Sequence, residues 1–260
     1  MPYAGEIHYR GSVSSSRERD PLILIHGAGG SYLYWPPEIR RLAGGGVLAI
    51  DLPGHGDSAG DGKESIEAYA HALLDLMEIL EIDQAVLAGH SMGSAVAQRM
   101  SLDYPERVRA LILIGAGAKL RVNPQLIELC SREETYPAAV TQVVKWAFSQ
   151  QADPKLVALA ERRMAAMPPG VLLADFKACD AFDLHEQVGG IEQPTLIICG
   201  EEDQMTPVRL SQYLAEKIRG SRLEIIPDAG HMVMLEKPEI VARLVVDFLD
   251  EVGSERKLMI

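Results

Sequence analysis

Long hydrophobic runs are missing from this chain of 260 residues, and no apolar stretch approaches the roughly 20 residues of a membrane-crossing helix. The opening residues, Met1-Pro2-Tyr3-Ala4-Gly5-Glu6, lack the basic region and apolar core of a secretion signal. Both absences lead us to expect a cytoplasmic protein. Cysteine is scarce: Cys130, Cys179 and Cys199 are odd in number and lack metal-ligand spacing. Neither a disulfide framework nor a zinc site is indicated, so no metal is expected and the thiols should be buried. Positive charge is in deficit, with 25 Lys and Arg against 37 Asp and Glu and a net charge of -12. Such a surface repels phosphate backbones and anionic lipid, which argues against nucleic acid or membrane partners. Internal repeats and low-complexity segments are also lacking.

What the chain does contain is a regular alternation. Short, nearly continuous apolar runs at Leu22 to His26, Val47 to Asp51, Ala85 to Gly89, Ala110 to Gly115, Thr195 to Cys199 and Leu223 to Ile226 read as strands buried on both faces. Between the second and third, Ile66, Tyr69, Ala70, Leu73, Leu74, Met77 and Leu80 recur every three or four positions across 63–81, as on an amphipathic crossover helix. The expected fold class is α/β, with a mostly parallel central sheet flanked by helices. Residues 6–13 alternate well enough for edge strands, and the polar stretch 12–20 reads as a solvated turn. After Gly117 the alternation breaks. Pro124, Pro137, Pro154 and the pair Pro168-Pro169 separate helical stretches at 138–148 and 156–164. We expect a helical cap over 119–190, inserted into a core formed by 1–118 and 191–260, with Trp146, Phe148, Phe176 and Phe182 shared between the cap's own packing and a pocket.

The chemistry centres on Gly89-His90-Ser91-Met92-Gly93, which follows a strand and opens a stretch rich in small residues, Ser94, Ala95 and Ala97. A sharp strand-to-helix turn lifts the serine above the strand end, and the flanking glycines remove side chains that would collide. Serine is a weak nucleophile at neutral pH and needs a base, which in turn needs a carboxylate to fix its tautomer. Asp203 follows the strand at 195–199, and His231 follows the strand at 223–226, each on a loop at a carboxyl end. Glu201, Glu202 and Asp228 are rival acids, but the flanking glutamates suit a solvated turn. Among the other histidines, His26 and His55 lie in glycine-rich loops, His90 flanks the nucleophile, His71 belongs to an exposed helix face and His185 lies near the cap. Two backbone N–H groups should face a developing oxyanion, each worth about 3 kcal/mol. Met92 supplies one, and Ala28 in the loop His26-Gly27-Ala28-Gly29-Gly30-Ser31 the other. That loop lacks the G-x-G-x-x-G spacing of a dinucleotide site, so no cofactor is expected.

Five motifs in one order, His26-Gly27-Ala28-Gly29, Asp51 to Ser58, Gly89 to Gly93, Asp203 within a G-x-x-D loop, and Gly230-His231, resemble the α/β-hydrolase fold family, in its subgroup with a helical cap after the sixth strand. The likeness covers nearly the whole chain. It departs at the front, where the first strand is short and the second runs into an extended polar turn. It implies that Asp51 to Ser58 is a structural turn beside the site, with unusual backbone angles at Gly54 and Gly56. Relatives that cleave carbon–halogen bonds or epoxides carry Asp where this chain has Ser91. Hydrolases of ring-cleavage products resemble His-Gly-x-Gly-Pro-Gly in the first loop and carry Trp after the histidine, where this chain has Gly30-Ser31 and Met232. Prolyl peptidases of this type carry a Pro-Gly-rich first loop and a longer cap.

The resemblance therefore implies a serine carboxylesterase acting on a small-molecule ester through an acyl-enzyme, with Ser91 as nucleophile, His231 as base and Asp203 as acid. A lactonase or carbon–carbon bond hydrolase of the same fold stays open. So does a ligand-binding relative with slow turnover. The pocket is expected to draw on Tyr32, Tyr34 and Trp35 beside the oxyanion loop, on Trp146 from the cap, and on Met205 and Val233 beside the acid and base.

Overall fold

The computed structural model describes residues 2–13, 20–42 and 46–258, so most of the polar turn expected at 12–20 lies outside the described residues. A short hairpin begins the chain, β1 (Tyr3–Ala4) and β2 (Ile7–Val13). There follow β3 (Leu22–Ile25), α1 (Pro37–Arg40), β4 (Gly46–Asp51), α2 (Ile66–Ile79), β5 (Ala85–His90), α3 (Met92–Asp103) and β6 (Val108–Ile114). Four helices come next: α4 (Pro124–Cys130), α5 (Tyr136–Ala147), α6 (Pro154–Ala165) and α7 (Pro169–Ala181). The chain then returns to the sheet with β7 (Thr195–Gly200), α8 (Val208–Lys217) and β8 (Arg222–Ile226), and ends with α9 (Val233–Glu236) and α10 (Pro238–Leu258).

The eight strands lie in the order β1-β2-β4-β3-β5-β6-β7-β8. From β4 to β8 every neighbouring pair is parallel, and β2 is antiparallel to β4 over six residue pairs. The front hairpin thus extends the sheet despite its polar continuation. Side-chain alternation explains why the strands read as continuous apolar runs. Leu22, Leu24, Val47, Ala49, Val86, Ala88, Ile112 and Ile198 face one core, while Ile23, Ile25, Leu48, Ile50, Leu87, Leu111 and Ile197 face the other. Ile39 of α1 and Val241, Val245 and Phe248 of α10 cover the first face. Tyr69 and Leu73 of α2, Val96 and Met100 of α3, and Leu214 of α8 cover the second.

The prolines that interrupt 119–190 in sequence open helices in the fold. Pro124 and Pro154 each follow a capping side chain: Asn123 Oδ1 accepts from Gln125 N, and Asp153 Oδ1 from Lys155 N. Helices α5 and α6 span the two stretches read from sequence, while α4 and α7 were hidden behind the prolines that start them. All three cysteines are free and buried, and burial pushes the thiols of Cys130 and Cys199 up to about 11. Among the described residues no helix is long and apolar enough to cross a membrane.

Parallel strands bring their carboxyl ends to one edge. The connections of β3 and β5 leave in opposite directions, since β4 lies on one side of β3 and β6 beyond β5. A crevice opens at such a reversal. The packing of α3 against this edge depends on Gly93, where a Cβ would lie 2.3 Å from the Ile25 carbonyl oxygen and 2.6 Å from that of His26. Those neighbours are backbone and cannot swing aside. Gly93→Ala should cost about 1–3 kcal/mol or more in urea unfolding, whereas Gly253→Ala, with nothing within 4 Å on α10, should be neutral or slightly stabilising.

Candidate active site

Ser91 connects β5 to α3 with φ 52 and ψ -116, a conformation that non-glycine residues rarely adopt. Hydrogen bonds to its backbone N–H and carbonyl hold it there. Ser91 N donates to the Ile114 carbonyl at 2.9 Å, and the Ser91 carbonyl accepts from Ser94 N at 2.9 Å and from Ser94 Oγ at 2.6 Å. Gly89 admits the turn, since a Cβ there would lie 2.2 Å from the Gly93 carbonyl oxygen. The serine stands directly before Met92, the first residue of α3, where N–H groups have no intrahelical acceptor.

The other sequence-predicted groups come from neighbouring strand ends. His231 Nδ1 and Asp203 Oδ2 are 2.8 Å apart, with both side chains buried. Asp203 Oδ1 accepts from Met205 N at 2.9 Å and Thr206 N at 2.8 Å, and Oδ2 also accepts from Thr206 Oγ1 at 2.8 Å. Burial pushes the Asp203 carboxyl up, but the neighbouring His231 and the Thr206 hydrogen bonds outweigh it and hold the pKa below the ordinary carboxylate value. The rival acids sit elsewhere. Glu202 accepts from Gln150 N, Asp228 accepts from Gln151 Nε2, and Glu201 is exposed.

His90 has a supporting task at the opposite side of His231. Its Nε2 donates to the His231 carbonyl at 3.0 Å, and burial together with the nearby His231 lowers its pKa to about 3, so the ring is neutral. The loop carrying His231 is further anchored through Glu236, whose carboxylate accepts from Gly230 N at 2.9 Å and from Ser149 N at 3.0 Å. Met232 N also donates to the Ala147 carbonyl. The histidine loop is thereby tied to the end of α5.

The loop after β3 abuts the serine, for a Cβ on Gly27 would lie 3.0 Å from the Ser91 Cβ. Within it, Gly29 N donates to Asp175 Oδ2 at 2.8 Å and Gly30 N to the Gly27 carbonyl at 3.1 Å. Among the described residues no hydrogen bond engages Ala28 N. Ala28 and Ser91 line one cavity of about 260 Å³, together with Leu120, Val122, Phe176, Met205, Thr206 and Leu210. Trp146 lines an adjoining cavity that shares Val122, Phe176 and Met205.

Four expected pocket residues lie elsewhere. Trp35 closes a tight turn, its N–H bonded to the Tyr32 carbonyl, and its ring is fully buried beside Leu22, Leu24 and Ile39 in the core. Val233 starts α9 and is likewise fully buried in that core, away from the cavity lining. Tyr32 donates its N–H to Asp51 and holds its ring near the guanidinium groups of Arg10 and Arg40, outside both cavities. Tyr34 is buried in the same core as Trp35.

The stretch Asp51 to Ser58 is a hydrogen-bonded knot, with positive φ at Gly54 and Gly56. Asp51 takes His8 Nδ1, Tyr32 N and Asp57 N on its carboxylate and Ser58 Oγ on its carbonyl. Sequence reasoning missed the neighbour of this knot, Asp175 of α7. Its signal was an acid inside the apolar run Val171-Leu172-Leu173-Ala174-Asp175-Phe176. Fully buried, it accepts from Gly29 N, from Tyr69 Oη at 2.5 Å and from His55 Nε2 at 2.8 Å. His55 Nδ1 faces the Pro53 carbonyl at 3.0 Å, so both ring nitrogens meet oxygen acceptors, which an imidazolium satisfies and a neutral ring does not. Burial opposes that charge, but the Asp175 carboxylate and its hydrogen bond outweigh burial and raise the His55 pKa. His26, 4.7 Å away between ring centroids, is neutral: it accepts from Leu52 N, and burial and the His55 charge lower its pKa to about 3.

A raised histidine pKa contributes stability that is complete below about 6.5 and is lost as pH climbs through the folded value. Asp175→Asn should therefore cost about 3 kcal/mol near pH 6, seen as a lower Tm, since it leaves a buried cation without its partner. The wild type should also lose more stability than this variant between pH 6 and pH 9. Equal pH slopes in the two proteins would contradict the ion pair.

The fold has counterparts among known proteins. Residues 22–244 match the model of the alpha/beta hydrolase family. The chain is 31% identical to a 2-hydroxymuconate semialdehyde hydrolase of Pseudomonas sp. (strain CF600), over 90% of this chain and 88% of that one. Among solved structures, a thermophilic esterase is 34% identical with a TM-score of 0.80, covering 95% of this chain and 99% of the other. The enol-lactonase of Burkholderia xenovorans LB400 is 25% identical with a TM-score of 0.87, over 94% and 96% of the two chains. On the extent of the family match and these full-length likenesses, the chain belongs to the alpha/beta hydrolase family.

Proposed function

We propose that this hydrolase is a serine carboxylesterase that cleaves small to medium esters through an acyl-enzyme. The observation that carries the reading is the left-handed Ser91 at a strand-to-helix turn, lining one cavity with Ala28 and Thr206, while Thr206 bonds both Asp203 and His231. In this reading His231 takes the proton as Ser91 Oγ attacks the ester carbonyl. Asp203 fixes the imidazole through Nδ1, leaving Nε2 to act as base, and stabilises the imidazolium that forms. Met92 and Ala28 N–H groups receive the oxyanion. Proton return from His231 releases the alcohol, and water then repeats the sequence on the acyl-enzyme.

The helical segment 119–190 acts as a cap in this scheme, because Leu120, Val122 and Phe176 supply apolar walls over the serine. The same chemistry opens a cyclic ester, so lactones belong in the substrate panel, a choice favoured by the likeness to an enol-lactonase. Carbon–carbon bond cleavage is kept as a further arm because of the 31% identical semialdehyde hydrolase.

Hydrolysis of p-nitrophenyl esters of increasing acyl length tests the reading. Wild type should turn them over, and Ser91→Ala should lose about 10⁴-fold or more in kcat. In the same assay Asp203→Asn should fall by about 10⁴-fold, with Glu202→Gln close to wild type. Equal rates for wild type and Ser91→Ala would overturn the proposal, and the reverse order for Asp203 and Glu202 would move the acid.

A further inference from the structure

The cavity over Ser91 has a charge opposite to that of the molecule. Its lining includes Lys119, Arg121, Arg209 and His185 and no Asp or Glu, in a chain of 37 acidic and 25 basic residues with net charge -12. Apolar side chains, Leu120, Val122, Phe176 and Leu210, share the lining with these cations. The cations are unequally committed. Lys119 is paired with Asp183, whose other carboxylate oxygen accepts from His185 N. The nearest partner of Arg121 is Asp180 at 4.0 Å, and that carboxylate already accepts from Val122 N on its Oδ1. Among the described residues no ion pair engages Arg209, which stands on the first turn of α8, four residues beyond Met205. His185 is stacked on Tyr213, with centroids 4.2 Å apart.

Two under-committed guanidinium groups in a cavity that also holds a nucleophile have a direct chemical reading. We propose that the substrate carries a carboxylate at the end remote from its scissile ester, received by Arg121 and Arg209, with a short apolar spacer lying against Val122, Phe176 and Leu210. The inference rests on the esterase reading for the reacting end and names the other end of the substrate. Guanidinium is suited to this task because its planar fork of donors matches a carboxylate and stays charged at every working pH. An acidic molecule with a local cationic opening also concentrates anions there against its own mean field. Half-esters of short dicarboxylic acids fit the description. So do lactones and esters with a free carboxylate several bonds from the carbonyl.

Two isosteric compounds separate the charge from the shape: monomethyl adipate, and the methyl ester of adipamic acid, in which a neutral amide replaces the carboxylate. Binding of both to Ser91→Ala by calorimetry reads the anionic subsite without turnover. The half-ester should bind about fivefold or more tightly than the amide, the size expected of a partly exposed charge pair, and 0.5 M NaCl should shrink the difference. Arg209→Glu and Arg121→Glu, each in the Ser91→Ala background, should abolish or invert the preference, whereas Arg243→Glu on the exposed face of α10 should leave it unchanged. Equal affinities for the two compounds, or a preference insensitive to charge reversal at both arginines, would overturn the proposal. Turnover of the pair by the wild type reports separately on the esterase reading. Ser91-dependent hydrolysis of the amide with no preference for the half-ester defeats only the anionic subsite. A binding preference with no Ser91-dependent hydrolysis of either compound supports the subsite and defeats the esterase reading.

Discussion

The geometry of the site depends on one strained turn. Ser91 is held at positive φ, which costs about 1–3 kcal/mol for a residue with a side chain and persists only where the surroundings leave no alternative. Here the surroundings are the backbone of three strands. The Ile114 carbonyl fixes Ser91 N from β6, the Ile25 and His26 carbonyls crowd Gly93 from β3, and Gly89 lets β5 approach the start of α3. Relaxing the turn would need these strands to move together. The sheet register therefore sets where the serine stands, and the serine's position fixes which other strand ends can reach it.

The residues around that turn are held by a second layer that crosses between the sheet and the inserted helices. Asp175 of α7 binds the loop after β3 at Gly29 and the loop after β4 at His55. On the far side, Glu236 bridges the histidine loop and the residue after Phe148. Both bridges are carboxylates: Glu236 accepts two backbone N–H groups, and Asp175 accepts one together with the His55 ring N–H, interactions with defined direction that an apolar contact would not provide. The inserted helices thus help to shape the loops that carry the site as well as walling the cavity. The walls place cations from the β6–α4 connection and α8 around Ser91 on an otherwise acidic molecule.

Strands were legible in the sequence because a parallel strand covered on both faces is written in consecutive apolar letters, as at Leu22-Ile23-Leu24-Ile25. The Gly89–Gly93 turn was legible because close backbone approach demands glycine at fixed spacing, whatever the rest of the chain does. Pocket walls were legible only in part: Met205 and Trp146 line the cavities, but facing depends on local turns that a residue's sequence neighbourhood does not reveal. Trp35 is near the loop after β3 in sequence, but the turn at 32–34 drives it into the core. Val233 lies two residues from His231, and the start of α9 turns it inward. Asp175 carried a visible signal, an acid in an apolar run, but its partners Gly29, His55 and Tyr69 come from distant parts of the chain. Arg209 and Arg121 belong to no sequence motif, and only the fold brings them to one cavity.

The central claim is that the strained Ser91 is an activated nucleophile, and covalent labelling tests it most directly. Wild type treated with a fluorophosphonate should gain the mass of one phosphonyl group in intact-protein mass spectrometry, with peptide mapping assigning it to Ser91. Acid unfolding before treatment should abolish the labelling. A folded wild type that stays unlabelled, or that is labelled at a serine other than Ser91, would contradict the account.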